Sequence, residues 1–216
     1  MLKYVVCLTA VALSLGGCAS LSKDQCLQGD WKGIGVLDGK EGRPETRIEE
    51  HQKACAKYKV IPDRAAYNSG RKEGLKTYCS VSSGFSQGRA DKRYYQVCSG
   101  RAASLFLDGY NLGQTLRQAE DANDDAEREV SRIKDRINRL QDEVSETSCH
   151  DAKKPKECRK DRRKKESRIS ELRLDLVIAY ADLHRSESRL NSTRSQVYSQ
   201  MQLMDPNYVR PTVIYR

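Results

Sequence analysis

An all-α fold is predicted, with a small disulfide-stapled helical domain followed by a long antiparallel helical hairpin, a coiled coil. Two long apolar seams with alternating spacings of four and three flank a single short turn. Upstream of them lies a shorter region rich in glycine, tyrosine and cysteine, with prolines where helices would begin. Eight cysteines in 216 residues, six of them outside the first eighteen positions, supply the staples.

Residues 1–17, MLKYVVCLTAVALSLGG, carry one basic residue and then an apolar run from Tyr4 to Leu15. The run is too short to span a bilayer and has the layout of a secretory signal. Its end, Leu15-Gly16-Gly17-Cys18, resembles a bacterial lipobox, in which the cysteine thiol receives a diacylglycerol and becomes the mature N-terminus. Lipid attachment at Cys18 leaves several acyl chains on one residue, enough for stable anchoring. Ala19 rather than aspartate follows, which by resemblance to Gram-negative sorting rules points to the outer membrane, periplasmic face. Residues 18–23 then read as a lipidated N-terminus and short tether.

Residues 24–103 form the small domain. Pro44 and Pro62 precede two helical patterns, one placing Ile48, His51, Cys55 and Tyr58 on a face, the other Tyr67, Gly70, Gly74 and Tyr78. A region this small builds little core by itself, and disulfides would restrict its unfolded chain. Cys26, Cys55, Cys79 and Cys98 allow three pairings; proximity in sequence favours Cys26–Cys55 with Cys79–Cys98. An aromatic followed by glycines three and seven residues on recurs at Tyr67-Gly70-Gly74 and Phe106-Gly109-Gly113. Trp31-Gly35-Gly39 is a looser third copy. Such glycines make a flat strip for close helix packing, and the segments are too polar for a membrane dimer motif.

Residues 104–204 carry the hairpin. One seam runs through Leu112, Leu116, Ala119, Asn123, Ala126, Val130, Ile133, Ile137, Leu140 and Val144. The other runs through Ile169, Leu172, Leu176, Ala179, Leu183, Ser186, Leu190, Thr193 and Val197. If Cys149 faces Cys158, facing residue numbers sum to about 307, and Ile137 meets Ile169, Val130 meets Leu176 and Leu116 meets Leu190. A Cys149–Cys158 disulfide would therefore lock the tip in register. The tip, 149–165, is basic: Lys153, Lys154, Lys156, Arg159, Lys160, Arg162 and Arg163 are its candidate contact residues. A charge run is by default a solvated end, but a tip needing only solubility could mix the signs. Residues 205–216 read as an extended C-terminal tail.

Cys26, Gly29-Asp30-Trp31, Ile34-Gly35, Asp38-Gly39, Gly42-Arg43, His51, Cys55, Pro62-Asp63, Tyr67, Gly70-Arg71, Glu73-Gly74-Leu75, Tyr78-Cys79, Gly84, Gly88, Tyr95 and Val97-Cys98 resemble the bacterial lipoproteins catalogued as domain of unknown function 2799, over roughly residues 24–115. The resemblance implies an envelope lipoprotein with a helical C-terminal extension, and brings no activity with it.

Chemistry is sparse. Gly84-Phe85-Ser86-Gln87-Gly88 fits a hydrolase nucleophile pattern but lacks the preceding apolar strand. His51 and Cys55, four apart, could chelate a metal, yet Cys55 belongs to the disulfide set and no second pair stands at zinc-site spacing. No metal site, cofactor or catalytic residue is predicted. The net charge of +9 favours anionic partners; in a periplasmic chain these are an anionic envelope polymer or a periplasmic protein, not nucleic acid. The function expected is a non-enzymatic structural or adaptor role played by the basic tip. The alternatives are a partner-binding seam with a passive tip, or a ligand-binding or enzymatic site around His51.

Overall fold

The computed structural model describes residues 20–150 and 152–211. The leader, Cys18 and the last five residues of the tail lie outside them. Among the described residues every regular element is helical: α1 Lys23–Gln28, α2 Trp31–Lys40, α3 Arg47–Ala56, α4 Arg64–Tyr78, α5 Val81–Arg89, α6 Gly100–Glu146 and α7 Pro155–Met204. The starts have local causes. Ser22 and Gln25 form a capping box on α1, while Asp30 and Ser80 accept backbone N–H bonds from Gly33 and Ser83 at the heads of α2 and α5. Pro155 opens α7, where its missing N–H costs nothing.

The chain divides between Tyr78 and Cys79 into two compact units. This corrects the boundary expected at 103/104. Helix α5 packs on the first turns of α6, and α6 runs unbroken across the expected boundary. The first unit holds α1 to α4 and the Cys26–Cys55 disulfide, and the second holds α5 to α7 with Cys79–Cys98 and Cys149–Cys158. One further correction concerns the tether. The tether expected at 18–23 is folded from residue 20 onward: Ser20 is hydrogen-bonded to His51 and Leu21 is buried among core residues. The tail expected at 205–216 is docked at its start: Tyr208 packs edge-on to Phe85 and beside Tyr198, and Ser82 donates to Asp205.

In each unit two helices mesh through glycines. A Cβ on Gly35 or Gly39 of α2 would meet the carbonyl oxygens of Tyr67 or Arg71 at 2.1 and 2.3 Å. A Cβ on Gly70 or Gly74 of α4 would meet those of Lys32 or Val36 at 2.0 and 2.1 Å. In the second unit Gly84 and Gly88 of α5 stand in the same relation to Phe106 and Tyr110 (both 2.0 Å), and Gly109 and Gly113 of α6 to Val81 and Phe85 (2.1 and 2.2 Å). Every contact joins a glycine to the residue three before the partner glycine.

The correspondence extends past the glycines. After α2, Gly42 N–H bonds to Gly39 O and Arg43 N–H to Asp38 O; after α5, Asp91 N–H bonds to Gly88 O and Lys92 N–H to Gln87 O. Gly42 and Asp91 both have positive φ, 66° and 52°. Arg71 then donates to the Arg43 carbonyl, and Tyr110 donates to the Lys92 carbonyl. In both units a disulfide joins the cysteine preceding the first helix of the pair to the one preceding the second. One module is built twice.

Beyond its module α6 packs against α7. Val130, Ile133 and Ile137 share a core with Ile169, Leu172 and Ala179, while Leu116 shares another with Leu190, Val197 and Met201. Asn123, the polar member of the seam, is buried, with Ser186 of α7 donating to its Oδ1 at 3.2 Å and its own Nδ2 donating to Glu127.

Candidate functional site

Two places gather chemistry, one in each unit. In the first, α2 carries Asp38 next to the meshing glycine Gly39, α3 carries His51 and α4 carries Tyr67, and all three are buried. His51 Nε2 lies 2.7 Å from Asp38 Oδ2, Tyr67 O–H donates to the same oxygen at 2.7 Å, and His51 Nδ1 lies 2.9 Å from Ser20 Oγ. Burial pushes the Asp38 carboxyl up, but the hydrogen bonds from His51 and Tyr67 and the nearby Arg47 charge outweigh it and hold the group below its ordinary value. Burial, with the hydrogen bond to Asp38, raises the Tyr67 phenol well above its own.

The second copy of the module carries other side chains at the equivalent positions. Phe106 stands where Tyr67 does and Gln87 where Asp38 does, and Tyr94 stacks on Phe106 at 4.5 Å where His51 meets Tyr67 edge-on. The scaffold therefore folds around an aromatic core as well, and the buried polar series is an addition that the helix pair does not demand. Hydroxyl, imidazole and carboxylate in hydrogen-bonded series have the connectivity of an acyl-transfer relay. Here the series runs inward from the point where the chain enters the unit, and its immediate effect is to pin Ser20. Sequence reading singled out His51 and the tyrosines near it, but not Asp38 as the carboxylate that joins His51 to Tyr67. The available signal was an aspartate and a tyrosine on glycine-lined helix faces, where a buried charge requires company.

Residues 30–115 match the family model described as protein of unknown function (DUF2799). No curated protein and no solved structure matches the chain. The matched segment begins at the cap of α2 and ends just past Gly113. It thus covers both copies of the glycine module, and leaves the rest of α6 and all of α7 outside.

The second place is the turn between α6 and α7. Cys149 and Cys158 are bonded there, with Cα atoms 5.7 Å apart. Lys153, Lys154, Lys156, Arg159, Lys160, Arg162 and Arg163 are all exposed. Lys154 pairs with Glu157, Lys164 with Asp161 and Arg162 with Glu166, while Lys165 reaches Glu143 of α6 at 2.7 Å. Lys153, Lys156, Arg159, Lys160 and Arg163 form no ion pair among the described residues. These cations crowd the first turns of α7, where the helix dipole is already positive, and Glu143 and Glu146 sit near the negative end of α6. Both placements oppose the helix dipoles, while Glu157 in the first turn of α7 and the Lys165–Glu143 bridge between the helices act the other way.

The remaining sequence motifs resolve structurally. Gly84 and Gly88 serve the α5–α6 contact and Ser86 Oγ donates to the Ser82 carbonyl within α5, a helical setting and not a strand-to-helix elbow. Cys55 Sγ is bonded to Cys26 and so is no partner for His51 in metal binding. Leu172 is buried against α6 and Leu183 packs at the edge of that core, so the seam is occupied from within the chain. No helix among the described residues is long and apolar enough to cross a membrane.

Proposed function

We propose that this chain is a non-enzymatic cell-envelope lipoprotein, anchored through Cys18 in the outer membrane on its periplasmic face. In this reading α6 and α7 form an antiparallel coiled-coil hairpin that presents a locked basic tip to an anionic envelope polymer or an acidic protein surface. The hairpin reading draws on the shared cores, in which residue numbers fall along α6 as they rise along α7. The observation that carries the contact role is the set of five exposed tip cations that form no ion pair among the described residues, held by a disulfide at helix ends whose electrostatics they worsen. The test is photo-crosslinking in intact cells from a reactive residue at position 152. A discrete adduct that disappears when Lys153, Lys156, Arg159, Lys160 and Arg163 are replaced by glutamate supports the reading. An unchanged adduct, or none while positions on α2 crosslink well, removes the tip from the account.

A second reading has its own observation. Leu174, Val177 and Ile178 are exposed on the face of α7 opposite the seam, at 68%, 68% and 60%. If a protein partner binds the rod, it binds this outer stripe, with the tip passive. Val177→Lys with Ile178→Lys would then abolish partner capture while tip reversals would not.

A further inference from the structure

We propose that the corner of the first unit where the chain enters it is a lipid-facing surface. In it Leu27 and Ile61 dip into the headgroup region, and Lys23, Lys57 and Lys59 meet anionic headgroups. The proposal rests on the reading of Cys18 as the acylated residue. Its geometry comes from how early the fold begins. Ser20 is hydrogen-bonded to buried His51, Leu21 is only 7% exposed within the core, and Ser22 caps α1. A single residue, Ala19, separates Cys18 from Ser20, a reach of roughly 7 Å over two Cα–Cα steps at full extension. A unit held that closely has no free tether, so one of its faces must lie against the bilayer that holds the acyl chains.

The core around Leu21 says which face. Leu21 clusters with Cys26 and Cys55, and Tyr58 and Val60 pack at the edge of the same cluster. The Cys26–Cys55 bond ties α1 to the end of α3. After Cys55 the chain turns tightly, with the N–H groups of Tyr58 and Val60 both bonding to the Cys55 carbonyl and Lys59 in the left-handed region. Entry point, α1 and this turn are therefore one corner. It exposes Ile61 at 83% and Leu27 at 57%. Lys57 Nζ lies 5.0 Å over the Tyr58 ring, an aromatic with a polar tip beside a cation. Isolated exposed apolar residues are common, but these two are chain neighbours of Cys26 and Val60, which belong to or pack against the cluster that buries Leu21. Acyl chains joined by a basic patch are the two-signal arrangement that makes attachment lasting and oriented.

The experiment uses the full chain, expressed with its own leader and reconstituted in vesicles of phosphatidylethanolamine and phosphatidylglycerol. A fluorescent unnatural residue is placed singly at Ile61, Leu27 or Leu37, all exposed, and quenched by lipids carrying a nitroxide near the headgroup. Leu37 lies on α2, outside the Leu21 cluster, and serves as reference. Quenching at Ile61 and Leu27 several-fold stronger than at Leu37, and reduced by Lys57→Glu with Lys59→Glu, is expected. Equal quenching at the three positions in an acylated protein overturns the proposed face while leaving the anchor intact. Mass measurement of the N-terminal peptide separates the failures, since an unmodified Cys18 removes the anchor and the proposal with it.

Discussion

Replacing one meshing glycine by alanine should destabilise one module and spare the other. A Cβ at Gly74 would stand 2.1 Å from the Val36 carbonyl oxygen, and one at Gly88 2.0 Å from that of Tyr110. An unstrained contact is roughly 3.5 Å, so the helix pair must separate by about 1.5 Å, against rigid backbone on both sides. Overpacking of this kind costs about 1–3 kcal/mol, and here the whole helix pair moves, which places it at the upper end. Alanine returns up to about 1 kcal/mol of helix propensity. The net loss is about 2 kcal/mol, or roughly 8–16 °C in the midpoint of the first unit and about half that in the larger second one. The two units can be watched separately. Trp31, the single tryptophan, is buried in the first, while α6 and α7 dominate the helical circular dichroism from the second. Gly74→Ala should lower the tryptophan transition and leave the main dichroism transition in place; Gly88→Ala should do the reverse. If neither variant shifts, or if each shifts both transitions alike, the two-module account of the close contacts is wrong.

Three other outcomes are expected. Cys149→Ser with Cys158→Ser releases a loop closed over a sequence separation of 9, worth about 2–3 kcal/mol; amide exchange should rise roughly 30- to 100-fold near residues 140–165 and stay unchanged around Leu116. Asp38 has a lowered folded-state pKa, so its contribution to the first unit is complete above the ordinary carboxylate range and is lost as pH falls through the folded value. Between about pH 6 and about pH 2 the Trp31 midpoint should therefore fall more steeply in the wild type than in Asp38→Asn, and parallel slopes would refute the assignment. Asn123→Leu with Ser186→Ala replaces both partners of a buried polar contact by apolar groups, which should raise the stability of the α6–α7 pair by about 1 kcal/mol, read from its dichroism midpoint; a fall of that size would show that the contact stabilises the pair.

How far the sequence could be read depended on the range of each signal. The long helices α6 and α7 were legible because apolar spacing along a helix is local and repeated, and Val130, Ile133, Ile137, Ile169, Leu172 and Ala179, read as seam positions, share one core. The glycine strips were legible as strips but not as pairs. Tyr67-Gly70-Gly74 and Phe106-Gly109-Gly113 are indeed equivalent, yet Trp31-Gly35-Gly39 is no third copy: it lines the helix that packs on α4. Its equivalent is Gly84 with Gly88, glycines whose spacing also suits an unrelated catalytic pattern. Which strip meets which is a tertiary choice that spacing alone does not encode. The unit boundary at Tyr78 and Cys79 was hidden for the same reason, since composition stays cysteine- and glycine-rich on both sides of it.

The duplication separates scaffold from specialisation without recourse to other proteins. What the two modules share — meshed glycines, a positive-φ turn, a disulfide before each helix pair — is what any helix pair of this kind needs to fold. What they do not share needs another reason. The first copy replaces the aromatic pair of Tyr94 and Phe106 with a buried Asp38–His51–Tyr67 series that reaches out to Ser20, beside the proposed anchor. The second copy prolongs its glycine helix without a break from Gly113 to Glu146 and covers it with α7. Each specialisation carries strain of its own kind, a buried carboxylate in one and like charge at a helix head in the other. Only the second is backed by a disulfide beyond the shared pair, Cys149–Cys158 at the tip. Costs placed at sites that the shared scaffold does without are where selection for attachment and contact, rather than for folding, is to be sought.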